Sequence, residues 1–309
     1  MNKIKSQSQT LAIKRIFCYL VLIFFTFLSL FPFYIMIINA THTNAEIQRG
    51  FLGLPGRNLI KNFVNLAFNK ESSSSVVQSI IASQNYEKIS NYAKNYPILR
   101  SMLNSLIVAT LIAAVTTYFS AMTAYGIYRY NFKLKGFAFK FIMAVMMVPT
   151  QVSTLGFIRL LTKLHLMNNY IALIVPAIAA PVVFFYMYQS LEATLPFSIV
   201  EAARVDGCHE FKTFNAIVIP MIKPALAVQA IFSFVSSWNN YFIPALIIDD
   251  KALWTVPIVI ANARGADYVS FDMGIIYMLI SMAVVPLIII YLFLSKHIVA
   301  GATAGGVKE

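Results

Sequence analysis

The side chains that could perform acid–base, nucleophilic or metal chemistry are scattered along this sequence. Its four histidines, His42, His165, His209 and His297, do not have the spacing of a metal-ligand set. The motifs H-E-x-x-H, C-x-x-C, G-x-S-x-G and G-x-x-x-x-G-K-S/T do not occur. We therefore expect this chain to have no catalytic residues and no metal site, and to bind no ATP through a P-loop.

The remaining candidates for chemistry are neutral polar side chains within apolar stretches. One is Gln151, in "PTQVSTLG", and a second group is Ser237, Trp238, Asn239 and Asn240. Polar groups at membrane depth are costly and tend to face a cavity. Amides and hydroxyls beside aromatic rings suit an uncharged, polyhydroxylated solute, so we predict that these residues line a solute pathway. The alternative, that they hydrogen-bond one helix to another, remains open.

The composition indicates which elements must position these residues. Of the 309 residues, 59% are hydrophobic and 12% charged, whereas a soluble domain carries about 25% charged residues. Six uncharged runs are long enough to cross a bilayer as helices: residues 16–38, 101–128, 141–158, 170–191, 224–248 and 274–295. We predict an all-α integral membrane protein with six transmembrane helices.

The basic residues predict how the chain is oriented. The net charge is +12, which we attribute to membrane topology rather than to nucleic-acid binding, because cytoplasmic loops collect Lys and Arg. Residues 1–15 contain four basic residues, and residues 129–140 contain four with no acid. We expect both termini, residues 1–15 and the tail at 297–309, to lie in the cytoplasm. Between them we predict an uncleaved first span at 16–38, an extracytoplasmic loop at 39–98 and a core at 99–296.

One charged segment interrupts the apolar core, within a predicted cytoplasmic loop at residues 192–223. It reads "EAARVDGCHEFKTFNAIVIP" from Glu201 to Pro220. Ser198 and Glu201 have the spacing of a capping box, which predicts a short helix over residues 197–205. Asp206–Gly207 predicts a break, and a second helix follows over residues 210–219. On composition alone, an amphipathic helix at the membrane surface explains this segment equally well.

The segment resembles the EAA loop of binding-protein-dependent ABC importer permeases. The matching residues are Glu201, Ala202, Ala203, Asp206, Gly207, Ile217 and Pro220. The stretch "SWNNYFIPAL" resembles the W-N-x-x-x-x-P stretch of maltose-type, MalG-like permeases of carbohydrate uptake systems, and "NSLIVA" and "GATAGGVK" are also similar to that family.

The resemblance implies a type I ABC importer permease fold in a bacterial inner membrane. It also implies a coupling role for the seven matching residues, with Glu201, Ala202 and Ala203 entering a cleft of a separate ATPase subunit. The expected partners are a second, MalF-like permease subunit, two ATPase subunits that bind ATP and Mg²⁺, an extracytoplasmic sugar-binding protein, its sugar and membrane lipid. The loop at residues 249–271 would contact the binding protein.

Two other classes of function remain open on the sequence. The first is an ABC permease for another solute, such as an amino acid or phosphate. The second is a secondary transporter or an integral-membrane enzyme, and both of these commonly carry ionisable residues within their spans. Asp, Glu, Lys and Arg are missing from all six uncharged runs, which favours the ABC permease.

Overall fold

The computed structural model describes residues 2–67, 97–265 and 272–304. All regular structure within these residues is helical, as the composition predicts. The α-helices are α1 (Asn2–Asn39), α2 (Asn44–Gln48), α3 (Leu59–Ala67), α4 (Ile98–Arg129), α5 (Lys135–Met146), α6 (Thr150–Lys163), α7 (Ile171–Ile174), α8 (Pro181–Thr194), α9 (Phe197–Val205), α10 (Glu210–Thr213), α11 (Ile219–Met221), α12 (Lys223–Trp238), α13 (Phe242–Ile247), α14 (Val256–Arg264) and α15 (Met273–Ala304). Short 3₁₀ turns lie at Val175–Ile178 and Lys251–Leu253, and a π-helical turn at Phe214–Val218 joins α10 to α11.

Several of these helices are long and apolar enough to cross a bilayer. Within the described residues four helical stretches qualify, one of which, Ile171–Thr194, runs through α7 and α8: Lys14–Asn39, Ile98–Arg129, Ile171–Thr194 and Met273–Phe293. Two bent pairs raise the number to six if each pair is one span. These are α5 with α6, bent by 98°, and the helix Glu210–Met221 with α12, bent by 83°. The structure is therefore consistent with the predicted six spans, but three of them are not the single helices that the uncharged runs indicate.

The third predicted span is broken at Pro149. Helix α5 ends at Met146, and α6 begins at Thr150 in a different direction. Pro149 has an extended backbone, with ψ of 125°. Proline has no N–H to continue a helix and disfavours helical geometry in the residue before it. A continuous helix over residues 141–158 is thus wrong, although the run does contain apolar helical residues on both sides of the break.

The fourth span is interrupted between α7 and α8. In a continuous helix the carbonyl of Ala177 would accept a hydrogen bond from residue 181, but this residue is a proline. The hydroxyl of Thr116, on α4, donates to the Ala177 carbonyl instead, at 3.0 Å. Broken helices persist at membrane depth when neighbouring side chains satisfy the freed backbone groups in this way.

The fifth span, predicted as one helix over residues 224–248, ends as a helix at Trp238. The Asn240 N–H then donates to the carbonyl of Ser237, only three residues back. The side-chain oxygen of Asn240 accepts from the Ile243 N–H, at 3.5 Å, where α13 begins. A local side-chain bond has therefore replaced a helical one, as Asn favours at helix ends.

The chain forms two compact units: Met1–Asn95 with Ala263–Met282, and Tyr96–Asn262 with Ala283–Glu309. In the first unit, Thr43 and Glu46 form a reciprocal capping box at α2. The buried Asn62 amide donates to the carbonyls of Ala40 and His42, at 2.9 Å each. These contacts give residues 39–67 an ordered fold that we did not predict from the sequence. The Ser-rich stretch at residues 72–75 lies outside the described residues.

Helix α4 is the central packing element of the second unit. Its face toward the core contains small residues, including Ala121 and Ala124, which are completely buried. These allow close packing against Met187 and Leu191 of α8. Val200, in the charged segment, belongs to the same buried cluster. The segment is thus packed against the core rather than attached only through its ends.

Candidate functional site

The charged segment forms a helix–turn–helix, as predicted. Helix α9 has the predicted bounds, Phe197–Val205, and the chain reverses at Asp206–Gly207 before α10. Gly207 has φ of +78°, a conformation that glycine adopts freely and that strains residues with a Cβ. The second helix extends to Met221, two residues beyond the predicted end at Ile219. We refer to residues 197–221 as the EAA segment.

The predicted capping box at the start of this segment is wrong. Pro196 occupies the N-cap position of α9, and no side chain caps the helix there. Ser198 consequently lies inside the first turn. The Glu201 carboxylate lies 3.5 Å from the guanidinium of Arg129, the last residue of α4. The Arg129 guanidinium also lies over the ring of Phe197, 5.4 Å from its centroid.

Glu210 connects the two halves of the EAA segment. The Arg204 Nε, on α9, donates to one Glu210 carboxylate oxygen at 2.6 Å. The Tyr125 hydroxyl, on α4, donates to the other at 3.0 Å. Partial burial on its own would raise the pKa of Glu210, but hydrogen bonds from Tyr130, Arg204 and Tyr125 outweigh it and hold the pKa below its usual value. The carboxylate form is therefore favoured, and it fixes α10 relative to both α9 and α4.

The two alanines of the E-A-A motif differ in how far they are exposed to solvent. Ala202 is exposed, whereas Ala203 is only 5% exposed and packs within this chain. Large apolar side chains project from the segment on both sides of the turn: Val205 is 88% exposed and Phe211 is 66% exposed. Ala202, Val205 and Phe211 are thus exposed apolar residues of a segment that also exposes charged groups such as Glu201 and Asp206.

The other two motif residues lie in the second half of the segment. Ile217 is partly buried in the π-helical turn, and Pro220 is exposed in α11. The chain bends at Ile222, which is buried between α11 and α12. This buried bend connects the segment directly to the fifth span.

Two of the five predicted pathway residues line the same cavity. Ser237 and Asn240 border a space of about 50 Å³, together with Ser105, Val108, Ile112, Leu173, Ile243, Pro244 and Thr255. The polar groups of this lining are all neutral. The Thr255 hydroxyl is buried and has no hydrogen-bond partner among the described residues.

The other three predicted pathway residues do not line this cavity. Trp238 is buried, and its indole N–H donates to the Ala283 carbonyl at 3.2 Å, which is the helix-to-helix contact left open as the alternative. Asn239 is exposed immediately after α12, and Gln151 is exposed in the first turn of α6.

Sequence reasoning missed the side chains of α4 that contact the EAA segment. Tyr118, Tyr125 and Arg129 are spaced by seven and four residues, which places them on one face of a helix. They contact Asn215, Glu210 and Glu201, respectively. The helical spacing is visible in the sequence, but the partners are about 70 to 100 residues away and the sequence does not identify them.

Residues 116–303 match the family described as binding-protein-dependent transport system inner membrane component. The chain belongs to this family, whose members are permease subunits of ABC transporters. The chain is therefore not an enzyme, and separate subunits of such transporters hydrolyse ATP.

Relatives of similar length support this assignment. The chain is 30% identical over 304 residues to the arabinooligosaccharides transport system permease protein AraQ of Bacillus subtilis (strain 168), covering 97% of this chain and 98% of the relative. It is 28% identical to the sn-glycerol-3-phosphate transport system permease protein UgpE of Escherichia coli (strain UTI89 / UPEC), covering 93% and 95%. A crystal structure of a bacterial ABC transporter involved in the import of the acidic polysaccharide alginate has the same fold, with a TM-score of 0.73 at 18% identity, covering 92% and 96%.

Proposed function

We propose that this chain is the sugar-importing permease subunit of a bacterial inner-membrane ABC importer, with both termini in the cytoplasm. It works with a second, MalF-like permease subunit, two ATPase subunits that bind ATP and Mg²⁺, and an extracytoplasmic solute-binding protein. The solute crosses by alternating access, driven by ATPase subunits that dock on the EAA segment.

The exposed apolar surface of the EAA segment supports docking of an ATPase subunit. Val205 and Phe211 are among the most exposed apolar side chains of the described residues, and they lie on opposite sides of a rigid turn. A patch of this kind, rimmed by charged groups such as Glu201, is typical of a protein-interaction surface. Arg129 and Glu210 hold the segment against the core, so a force applied to this surface reaches the spans.

The space of about 50 Å³ is too small for a sugar as it stands, so only the chemistry of its neutral lining bears on the solute, and it favours an uncharged one. Its lining offers hydroxyls from Ser105, Ser237 and Thr255 and the amide of Asn240, with no charged group among its lining residues. Such groups suit the hydroxyls of an arabino-oligosaccharide, the solute class named for one relative. A phosphorylated solute, named for another relative, would call for a cationic side chain.

An uptake assay separates the two solutes. Cells expressing the complete importer are offered radiolabelled arabinotriose and sn-glycerol 3-phosphate. We expect uptake of arabinotriose, and we expect Asn240→Leu to reduce it at least tenfold while the ATPase subunits still co-purify. Exclusive uptake of glycerol 3-phosphate would reject the sugar assignment. Normal uptake by Asn240→Leu would reject the role of the cavity.

A further inference from the structure

The first turns of helix α4 hold a distant loop by hydrogen bonds. The Asn104 side-chain amide donates to the carbonyls of Ala252 and Trp254, at 3.0 and 2.9 Å. The hydroxyl oxygen of Ser105 accepts from the Val256 N–H at 2.8 Å. Asn104 and Ser105 are both buried, so water competes little for these bonds.

This loop, residues 249–256, is held by side chains along most of its length. The Asn168 side-chain oxygen accepts from the N–H groups of Asp249 and Asp250, at 2.6 and 3.0 Å. The Tyr170 hydroxyl donates to the Leu253 carbonyl at 3.0 Å. Three successive carbonyls, from residues 252 to 254, are thus bound to side chains of other elements. The backbone of this loop is therefore held in place by hydrogen bonds along most of its length.

The last turns of α4 hold the EAA segment in a similar way. The Tyr118 hydroxyl lies 3.2 Å from the side-chain oxygen of Asn215, and the Tyr125 hydroxyl donates to Glu210 at 3.0 Å. Tyr125 also packs its ring against that of Phe214, at 5.6 Å between centroids. Both halves of the EAA segment are therefore attached to the same helix, because Arg129 pairs with Glu201.

One stiff helix connects these two attachments. Asn104 and Tyr125 are 21 residues apart within α4, which corresponds to about 32 Å at 1.5 Å per residue. This distance is close to the thickness of a bilayer core, about 30 Å. Between them, Ala109, Ala113, Ala121 and Ala124 are buried, so α4 packs closely and cannot bend freely.

We propose that α4 is a strut that couples the 249–256 loop to the EAA segment, with Asn104 and Tyr125 as its positioning residues. This rests on the proposed function, in which the EAA segment binds the ATPase, and on the contact between residues 249–271 and the binding protein that the family resemblance implies. Arrival of the loaded binding protein at the loop shifts α4 along its length. The shift moves Glu210 and, with it, the surface that carries Phe211.

The first test removes the attachment at the loop. The complete transporter is reconstituted in nanodiscs, and ATP hydrolysis is measured with and without its binding protein loaded with arabinotriose, or with glycerol 3-phosphate if the uptake assay selects that solute. Asn104→Leu retains the side-chain size and removes both hydrogen bonds. We expect basal hydrolysis to be unchanged and stimulation by the binding protein to fall roughly fivefold.

Tyr170→Phe is the matched control for this test. It removes one hydrogen bond to the same loop, but from the residue that precedes α7 rather than from α4. We expect it to retain most of the stimulation. An equal loss in Tyr170→Phe and Asn104→Leu would show that a loosened loop, and not α4, is responsible, and would overturn the proposal.

The second test uses the reciprocity of coupling. If the two sites are linked, weakening the attachment of α4 to the EAA segment must also change the affinity for the binding protein at the loop. Tyr125→Phe removes only the hydroxyl that bonds Glu210, and we expect it to weaken binding of the loaded binding protein to the transporter roughly fivefold. Tyr186→Phe, at an exposed position of α8, should leave this affinity unchanged. Unchanged affinity in Tyr125→Phe would overturn the proposal that Tyr125 is a positioning residue of α4.

Failure of the strut can be distinguished from failure of the proposed function. Gly207→Pro distorts the turn of the EAA segment and does not touch α4. If the EAA segment binds the ATPase, Gly207→Pro reduces co-purification of the ATPase subunits whatever the result for Tyr125→Phe. If Gly207→Pro co-purifies normally, the docking assignment itself is wrong.

Discussion

At the residue scale, Gly207 has the most specific conformational requirement in the EAA segment. Its φ of +78° is a left-handed conformation, and a Cβ added there would meet no atom within 4 Å. Any cost of substitution therefore comes from the backbone and not from a clash. A non-glycine residue in this region costs about 1 kcal/mol or more.

We predict that Gly207→Ala weakens ATPase docking while the spans remain folded. The alanine costs about 1 kcal/mol at the turn, and relief of that strain tilts α9 relative to α10. The expected result is a several-fold reduction in co-purified ATPase subunits. Gly136→Ala, in the first turn of α5 and equally free of clashes, should have no such effect, because helices favour alanine. If both variants co-purify with as much ATPase subunit as the wild-type chain does, the assignment of Gly207 is wrong.

The residues of the EAA segment could be identified from the sequence to different degrees. The D-G dipeptide correctly predicts a break, because turn chemistry is local. The partner of Glu201 could not be predicted, since Arg129 is 72 residues away. Ser198 and Glu201 have the spacing of a capping box, but Pro196 occupies the N-cap position, so Ser198 lies within the first turn.

At the element scale, the interrupted helices depend on side chains from neighbouring elements. The break between α7 and α8 frees the carbonyl of Ala177, which the Thr116 hydroxyl then binds. The next residue, Thr117, is equally buried but donates to Ala113 within α4 itself. The Thr116 hydroxyl thus donates to a carbonyl freed by a helix break, whereas the Thr117 hydroxyl donates to a carbonyl of an intact helix.

We predict that Thr116→Val destabilises the protein more than Thr117→Val. Both changes preserve shape, but only the first leaves a buried carbonyl without its donor, at a cost of about 1 kcal/mol. Thermal unfolding of the detergent-solubilised chain should show a lower midpoint for Thr116→Val and little change for Thr117→Val. A larger drop for Thr117→Val would show that the break does not depend on Thr116.

The helices could be predicted from uncharged runs, but their interruptions only in part. The first, second and sixth runs lie within single helices, because they satisfy their backbone internally. Pro149 and Pro181 indicate where breaks can occur, yet Pro32 and Pro286 lie inside continuous helices. Whether a proline breaks a helix depends on neighbours such as Thr116, and the sequence does not show which neighbours are in contact.

At the scale of the whole molecule, the charges predict which ends of the spans face the cytoplasm. Residues 129–140 contain four basic residues and no acidic ones, and they follow α4 directly. Residues 39–67 contain Arg49, Arg57 and Lys61, together with Glu46, and so have a weaker bias. Because short, strongly basic loops remain in the cytoplasm, the C-terminal end of α4 and the EAA segment that it holds are expected on the same side as the ATPase.

Cysteine labelling in intact cells tests this orientation. In a chain whose own cysteines are changed by Cys18→Ser and Cys208→Ser, the variants Leu54→Cys and Leu134→Cys each place one thiol at a well-exposed position, 78% and 65% exposed in the native chain. We expect a membrane-impermeant maleimide to label the Leu54→Cys variant from outside and the Leu134→Cys variant only after permeabilisation. Labelling of both after permeabilisation confirms that both thiols react. If the Leu134→Cys variant were labelled in intact cells and the Leu54→Cys variant were not, the chain would have the opposite orientation, and the EAA segment could not bind a cytoplasmic ATPase.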